Sequence, residues 1–199
     1  MSGAAGLGRI AFFCLKFAVF SALLLFLWWW KLQPHYVGLI GRIAGAILHN
    51  LSSVPIDGMN VEVDPSGVLS TKTTLVFLAQ GRRYPIDVAY LVANIPPYFA
   101  LVLATPGLAF KRMWRVLAIG LAILATGHVL FLVLMFMFSG QAQESPEVPT
   151  AIGLFLLTLP FLLWIALAYW DKVALLFDEA GGAPSQQPDA APPSDASGD

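Results

Sequence analysis

Charge is scarce in this sequence: Asp, Glu, Lys and Arg make up 12% of its 199 residues, against 58% hydrophobic residues. Soluble domains carry about 25% charged residues. A chain so poor in charge has too little polar surface to cover a single water-facing core. The formal net charge is −1, so the basic footprint of nucleic-acid binding is missing and no nucleic-acid partner is expected. Cysteine is almost absent. Cys14 alone cannot close an internal disulfide and excludes a multi-cysteine zinc or iron–sulfur centre. His35, His49 and His128 include no i, i+4 pair and have no acid at ligand spacing. Neither a metal nor another cofactor is expected.

Long apolar runs take the place of charge. Ile10 to Trp30 is long enough to span a bilayer, since about 20 residues at 1.5 Å each cover the hydrocarbon core. It ends in three tryptophans and Lys31, an interfacial belt rather than a small-residue cleavage site, so an uncleaved helix is expected. Lys16 lies near the start of the run and can snorkel back to the headgroups beside Arg9. Further spans are expected over Val88 to Phe110, interrupted by Asn94, Pro96 and Pro97, over Trp114 to Phe138, and over Ala151 to Trp170. Proline inside a span frees a carbonyl, so the second span should be bent and face protein.

Residues 32–85 form the longest stretch between spans. Val37, Ile40, Ala44, Ile47, Leu48 and Leu51 recur at helical spacing, which predicts an amphipathic helix over Tyr36–Leu51 on the membrane surface or against the bundle. Val61 and Val63, then Val68 and Leu69, flank Asp64-Pro65-Ser66-Gly67, a type I turn sequence. Thr71 to Phe77 favours a pleated strand. A β-hairpin is expected over Met59–Leu78, with room for a third strand near Arg83–Ile86. A lone hairpin is marginal in water, so it should pack on the helices or on a partner. The last 20 residues are small, acidic and Pro-rich, a composition that predicts disorder.

The expected fold is therefore an all-α polytopic membrane protein of four transmembrane helices, with a small outer surface helix and a β-hairpin. Its parts are an N-terminal span (1–31), the outer helix and hairpin (32–85), three spans (86–177) and a disordered acidic tail (178–199). Lys111, Arg112 and Arg115 crowd the connection before the third span, whereas Glu144 and Glu147 occupy the next loop without a basic residue. The positive-inside rule then places both termini in the cytoplasm of a bacterial-type inner membrane. Arg82 and Arg83 run against the rule, because they sit outside.

Five polar residues are candidates for a site. His128 lies within the third span, where an ionisable group is costly and is a functional hypothesis by default. The bland alternative is a neutral histidine hydrogen-bonded to a neighbouring helix. Arg82, Arg83 and Asp87 stand where the second span begins, either simply solvated or forming an anion clamp. Asn94, about two turns further on, should reach the depth of His128. The five could converge on one outward-facing pocket. Cys14 sits in an apolar helix on the other side and is read as structural.

The segments RRYPIDVAYLVANI, ALVLATPGLAFKRMWRVLAIGLAIL and GHVLFLV follow one another in an order that resembles the exosortase/archaeosortase family, and especially the small membrane proteins associated with exosortases. The resemblance covers residues 32–138. It implies a cysteine transpeptidase chemistry that cuts a C-terminal sorting signal with a cysteine, an arginine and a histidine. This chain departs from that pattern. Where the family cysteine belongs it reads Asp87-Val88-Ala89-Tyr90, and where the family arginine belongs it has His128. Without a thiolate nucleophile that covalent scheme fails. The expected function is a non-catalytic accessory protein of an exosortase-type sorting or surface-polymer export system, in contact with membrane lipid and with an exosortase-like protein or its substrate. Two alternatives are a membrane-embedded hydrolase or transferase using His128 with Arg82 or Arg83, and a small transporter subunit.

Overall fold

The structure, a computed structural model, describes residues 3–51, 56–64, 72–138 and 147–170. It is mostly helical, with one small sheet. Helix α1 (Gly3–Leu27) passes through a π-helical turn (Trp28–Leu32) straight into α2 (Gln33–Leu51). Strands β1 (Ile56–Asp64), β2 (Lys72–Ala79) and β3 (Arg82–Asp87) follow, then α3 (Ala89–Val92), α4 (Ile95–Ala104), α5 (Phe110–Met137) and α6 (Glu147–Ala168).

Among the described residues, three helical segments are long and apolar enough to cross a membrane: Ile10–Leu51, Phe110–Met137 and Ala151–Ala168. Their outer faces carry large exposed apolar side chains, among them Leu15, Leu23, Ile123, Phe155 and Phe161. Such surface suits lipid and not water. Cys14 is exposed on α1 among them. The Lys16 ammonium lies 4.5 Å from the centre of the Phe12 ring, one turn back towards the start of α1, which is the snorkelling direction.

The second expected span is different. It is not one helix over Val88–Phe110 but the short pair α3 and α4, broken at Ala93–Asn94 and ending at Ala104. Pro96 and Pro97 explain the break. They occupy the first turn of α4, where amide donors have no helical partner to lose. The apolar stretch Ala89–Ala104 is shorter than the other three. At about 24 Å it falls below a hydrocarbon core of about 30 Å. It is also the enclosed helix, packed against α1, α5 and α6, with Tyr98, Ala100 and Val102 fully buried.

Helix α2 is continuous with the first span and does not form a separate surface element. Residues Ile10–Leu51 make a rod of 42 residues, about 63 Å long and twice the hydrocarbon thickness. The face expected to be apolar packs against α5 and the sheet: Val37, Ile40, Ala44 and Leu48 are buried, while Arg42, His49 and Leu51 are exposed. The tryptophans do not act as one belt. Trp30 is exposed, but Trp28 is buried, its ring 5.4 Å from that of Tyr36. The π-helical turn at this point shifts the register by one residue.

The expected hairpin is a three-stranded antiparallel sheet in the order β1-β2-β3. Asn60 pairs with Val76 and Val76 with Pro85, so side chains alternate across both ladders. One face (Met59, Val61, Leu75, Phe77, Tyr84, Ile86) turns to the helices, and Phe77 and Tyr84 meet Phe136 of α5 at 5.6 and 5.2 Å. Helix α2 comes close at Gly41, where an added Cβ would lie 2.8 Å from Leu75. The β1–β2 turn after Asp64, the acidic loop of residues 139–146 and the acidic tail lie outside the described residues.

Between β2 and β3, Gln80 and Gly81 have φ of 51° and 70°. Two successive left-handed residues make a type I′ hairpin turn, whose twist matches the strands. Gly81→Val is expected to destabilise the sheet by about 1–2 kcal/mol, because a side chain there meets the left-handed penalty. Equilibrium unfolding in micelles reads this directly; an unchanged midpoint would mean that the turn is not of this type.

Candidate functional site

The alternation that builds the sheet also separates the five candidate residues. Arg83, Pro85 and Asp87 are exposed on the face away from the helices. There Arg83 forms an ion pair with Glu62 of β1. By register, Glu62 lies level with Thr74 and Arg83 with Leu78, so the bridge runs diagonally over Val76. Val76 is 1% exposed although it is on the outer face. The pair is itself open to solvent and so contributes little stability beyond this cover. Asp87 accepts a hydrogen bond from the Ala89 amide at 3.1 Å and thus supports the start of α3. Arg82 is exposed beside the turn and makes no ion pair among the described residues.

Asn94 and His128 are buried, at 2% and 0% exposure. Asn94 stands in the break between α3 and α4, and its amide donates to the Leu156 carbonyl of α6 at 2.8 Å. This is how the proline-containing segment is tied to its neighbour, as backbone irregularity inside a bundle requires. His128 Nδ1 lies 2.9 Å from the Tyr36 hydroxyl of α2, with the two rings edge to face at 5.9 Å. The two residues are near the same level of the bundle, since a Cβ on Gly127 would lie 3.0 Å from the side chain of Leu156.

The expected five-residue pocket is therefore divided. Asn94 and His128 sit inside the bundle on separate partners; Arg82, Arg83 and Asp87 are on the exposed sheet. Sequence reasoning missed the partner that fixes His128. Tyr36 was visible only as the first residue of the amphipathic helix, though a phenol with an apolar body and a polar tip suits such a junction. It also missed Gln33, 1% exposed, one turn before Tyr36. Among the described residues, both amide atoms of Gln33, His128 Nε2, Asn94 Oδ1 and Thr73 Oγ1 are buried without a hydrogen-bond partner. Thr73 nonetheless anchors the sheet, its carbonyl accepting the Val88 amide at 3.1 Å.

The described residues contain no group of three or more His, Cys, Asp or Glu able to hold a metal ion. A second missed polar feature lies at the other end of the bundle. Lys111, Arg112 and Arg115, which served only to orient the chain, line a cleft of about 610 Å³ with Trp170. Comparison of this chain with protein-family models, with curated proteins and with solved structures gives no match.

Proposed function

We propose that the protein is a non-catalytic integral membrane protein whose outer sheet is a contact surface for a partner, and that it serves as an accessory component of an exosortase-type sorting or export system in a bacterial inner membrane. In this reading α3 and α4 complete a fourth crossing, with both termini cytoplasmic. The observation that carries it is how the candidate residues are engaged. His128 with Tyr36, Asn94 with Leu156, Asp87 with Ala89 and Arg83 with Glu62 each hold one element of the fold to another. What remains outward is a polar sheet face (Asn60, Glu62, Arg83, Pro85, Asp87) on a support fixed by α2 and α5. The export system is supplied by the sequence resemblance over residues 32–138.

A complementation assay in the native host tests the contact surface. Asn60→Arg combined with Pro85→Arg adds two charges to exposed positions and should leave the amount of protein in the membrane unchanged. Sorting of surface proteins should fall about tenfold or more, because unmatched charge in an interface costs several kcal/mol. Normal sorting with this double variant would refute the sheet as the contact surface.

A further inference from the structure

The basic cleft begins at the N-terminal turn of α5 and the C-terminal end of α6. Its lining combines Lys111, Arg112 and Arg115 with Ile119, Leu167 and Trp170. No acidic residue is among the lining residues; Asp171, next to Trp170, lies outside the described residues. Lys111 and Arg115 are exposed, and Arg112 approaches the Ala168 carbonyl at 3.4 Å. Basic residues with a tryptophan at the end of membrane helices are the composition of a headgroup layer.

Further along the same two helices, a groove of about 560 Å³ is lined by Ala122, Ile123, Thr126, Leu130, Phe155 and Leu159, among others. Arg115, Ile119, Ala122, Thr126, Leu130 and Leu134 follow one another at three- or four-residue steps, so they share one face of α5. Leu159, Phe155 and Ile152 do the same on α6, and Ala166 lies two turns from Leu159 towards the C-terminal end. The face from Arg115 to Leu134 is about 28 Å long, close to the hydrocarbon thickness of about 30 Å. It is cationic at one end and apolar along the rest.

We propose that the α5–α6 furrow is a binding site for an anionic phospholipid. The phosphate is held by Lys111, Arg112 and Arg115, and an acyl chain lies against Ile119, Ala122 and Ile123. Charge complementarity selects the headgroup. The apolar groove further along the same face of α5 selects a lipid over a free phosphate, because a soluble anion would leave that groove unused.

Native mass spectrometry of the full-length protein, released from detergent with added dioleoyl-phosphatidylglycerol or dioleoyl-phosphatidylcholine, tests this. The wild type should retain the glycerol lipid in preference to the choline lipid. Lys111→Gln with Arg115→Gln should weaken that retention about thirtyfold, since each cation near an anionic lipid surface is worth about a fivefold step. Ala122→Trp fills the apolar groove at an exposed position, leaves every cation in place, and should also lower retention. Equal retention of both lipids, or unchanged retention in the double glutamine variant, overturns the site. If millimolar inorganic phosphate displaces the lipid completely, or if Ala122→Trp has no effect, the site takes a free anion and the lipid is excluded.

Discussion

Gly120→Val is expected to be the most damaging single substitution in the helical bundle, at about 3 kcal/mol or more. Gly120 lies on α5 facing Tyr98 of α4, and a Cβ added there would stand inside the Tyr98 ring and hydroxyl. Tyr98 is fully buried and donates to the Val116 carbonyl at 2.6 Å. The ring therefore has nowhere to go without giving up that bond or pushing α4 away from α5. In lipid no solvent-driven term holds helices together, so close packing over small residues supplies much of the association. Equilibrium unfolding in mixed micelles measures the loss. A double-mutant cycle assigns its cause: Gly120→Ala should cost roughly 2 kcal/mol in the wild type and well under 1 kcal/mol in a Tyr98→Leu background, a coupling typical of residues in contact. If alanine is tolerated equally in both backgrounds, the close approach is not what holds α4.

Hydropathy made the long helices legible. The third and fourth expected spans differ from α5 and α6 by only a few residues at each end, because length and apolarity are set by the bilayer and need no knowledge of neighbours. Alternation made the strands legible in the same way, and Arg83–Ile86 proved to lie within β3. Local signals fail where a neighbour decides. The π-helical turn that fuses α1 to α2 buries Trp28 against Tyr36, and nothing in a run of three tryptophans marks which of them turns inward. Pro96 and Pro97 announced a distortion, but whether a proline bends a helix or starts a new one depends on who satisfies the freed groups. Here Asn94 is fastened to Leu156, 62 residues away.

The candidate site shows the same limit more sharply. Arg82, Arg83, Asp87 and Asn94 are close in sequence, and closeness suggested a pocket. A strand sends neighbouring side chains to opposite faces, so Arg83 and Asp87 point away from the bundle that Asn94 enters. His128 is legible from the sequence as an ionisable group within an apolar helix, and its burial is complete. Its partner was beyond reach of the sequence. Tyr36 is 92 residues distant, and periodicity tells which face of a helix is buried without telling what lies against it.

The His128–Tyr36 pair gives the test that separates a structural histidine from a catalytic one. His128→Leu should destabilise the protein by about 1–2 kcal/mol, because it strands the part-buried Tyr36 hydroxyl; Tyr36→Phe should cost about as much by stranding His128 Nδ1. Combined, the two changes remove both polar partners, and also the unpartnered Nε2. Replacing both members of a buried pair with apolar groups of similar shape is close to neutral or stabilising. The double variant should therefore recover most or all of the wild-type unfolding midpoint in micelles, with a coupling energy above about 1 kcal/mol. Function should follow stability, so cells carrying the double variant should sort or export at wild-type levels. A general base has no such rescue, since leucine cannot move a proton. If the double variant regains its stability yet stays inactive, His128 is part of the chemistry. The hydrolase or transferase alternative then displaces the accessory reading. If stability is not regained either, the contact between α2 and α5 depends on the imidazole itself, and the orphaned Nε2 becomes the atom whose partner must be found.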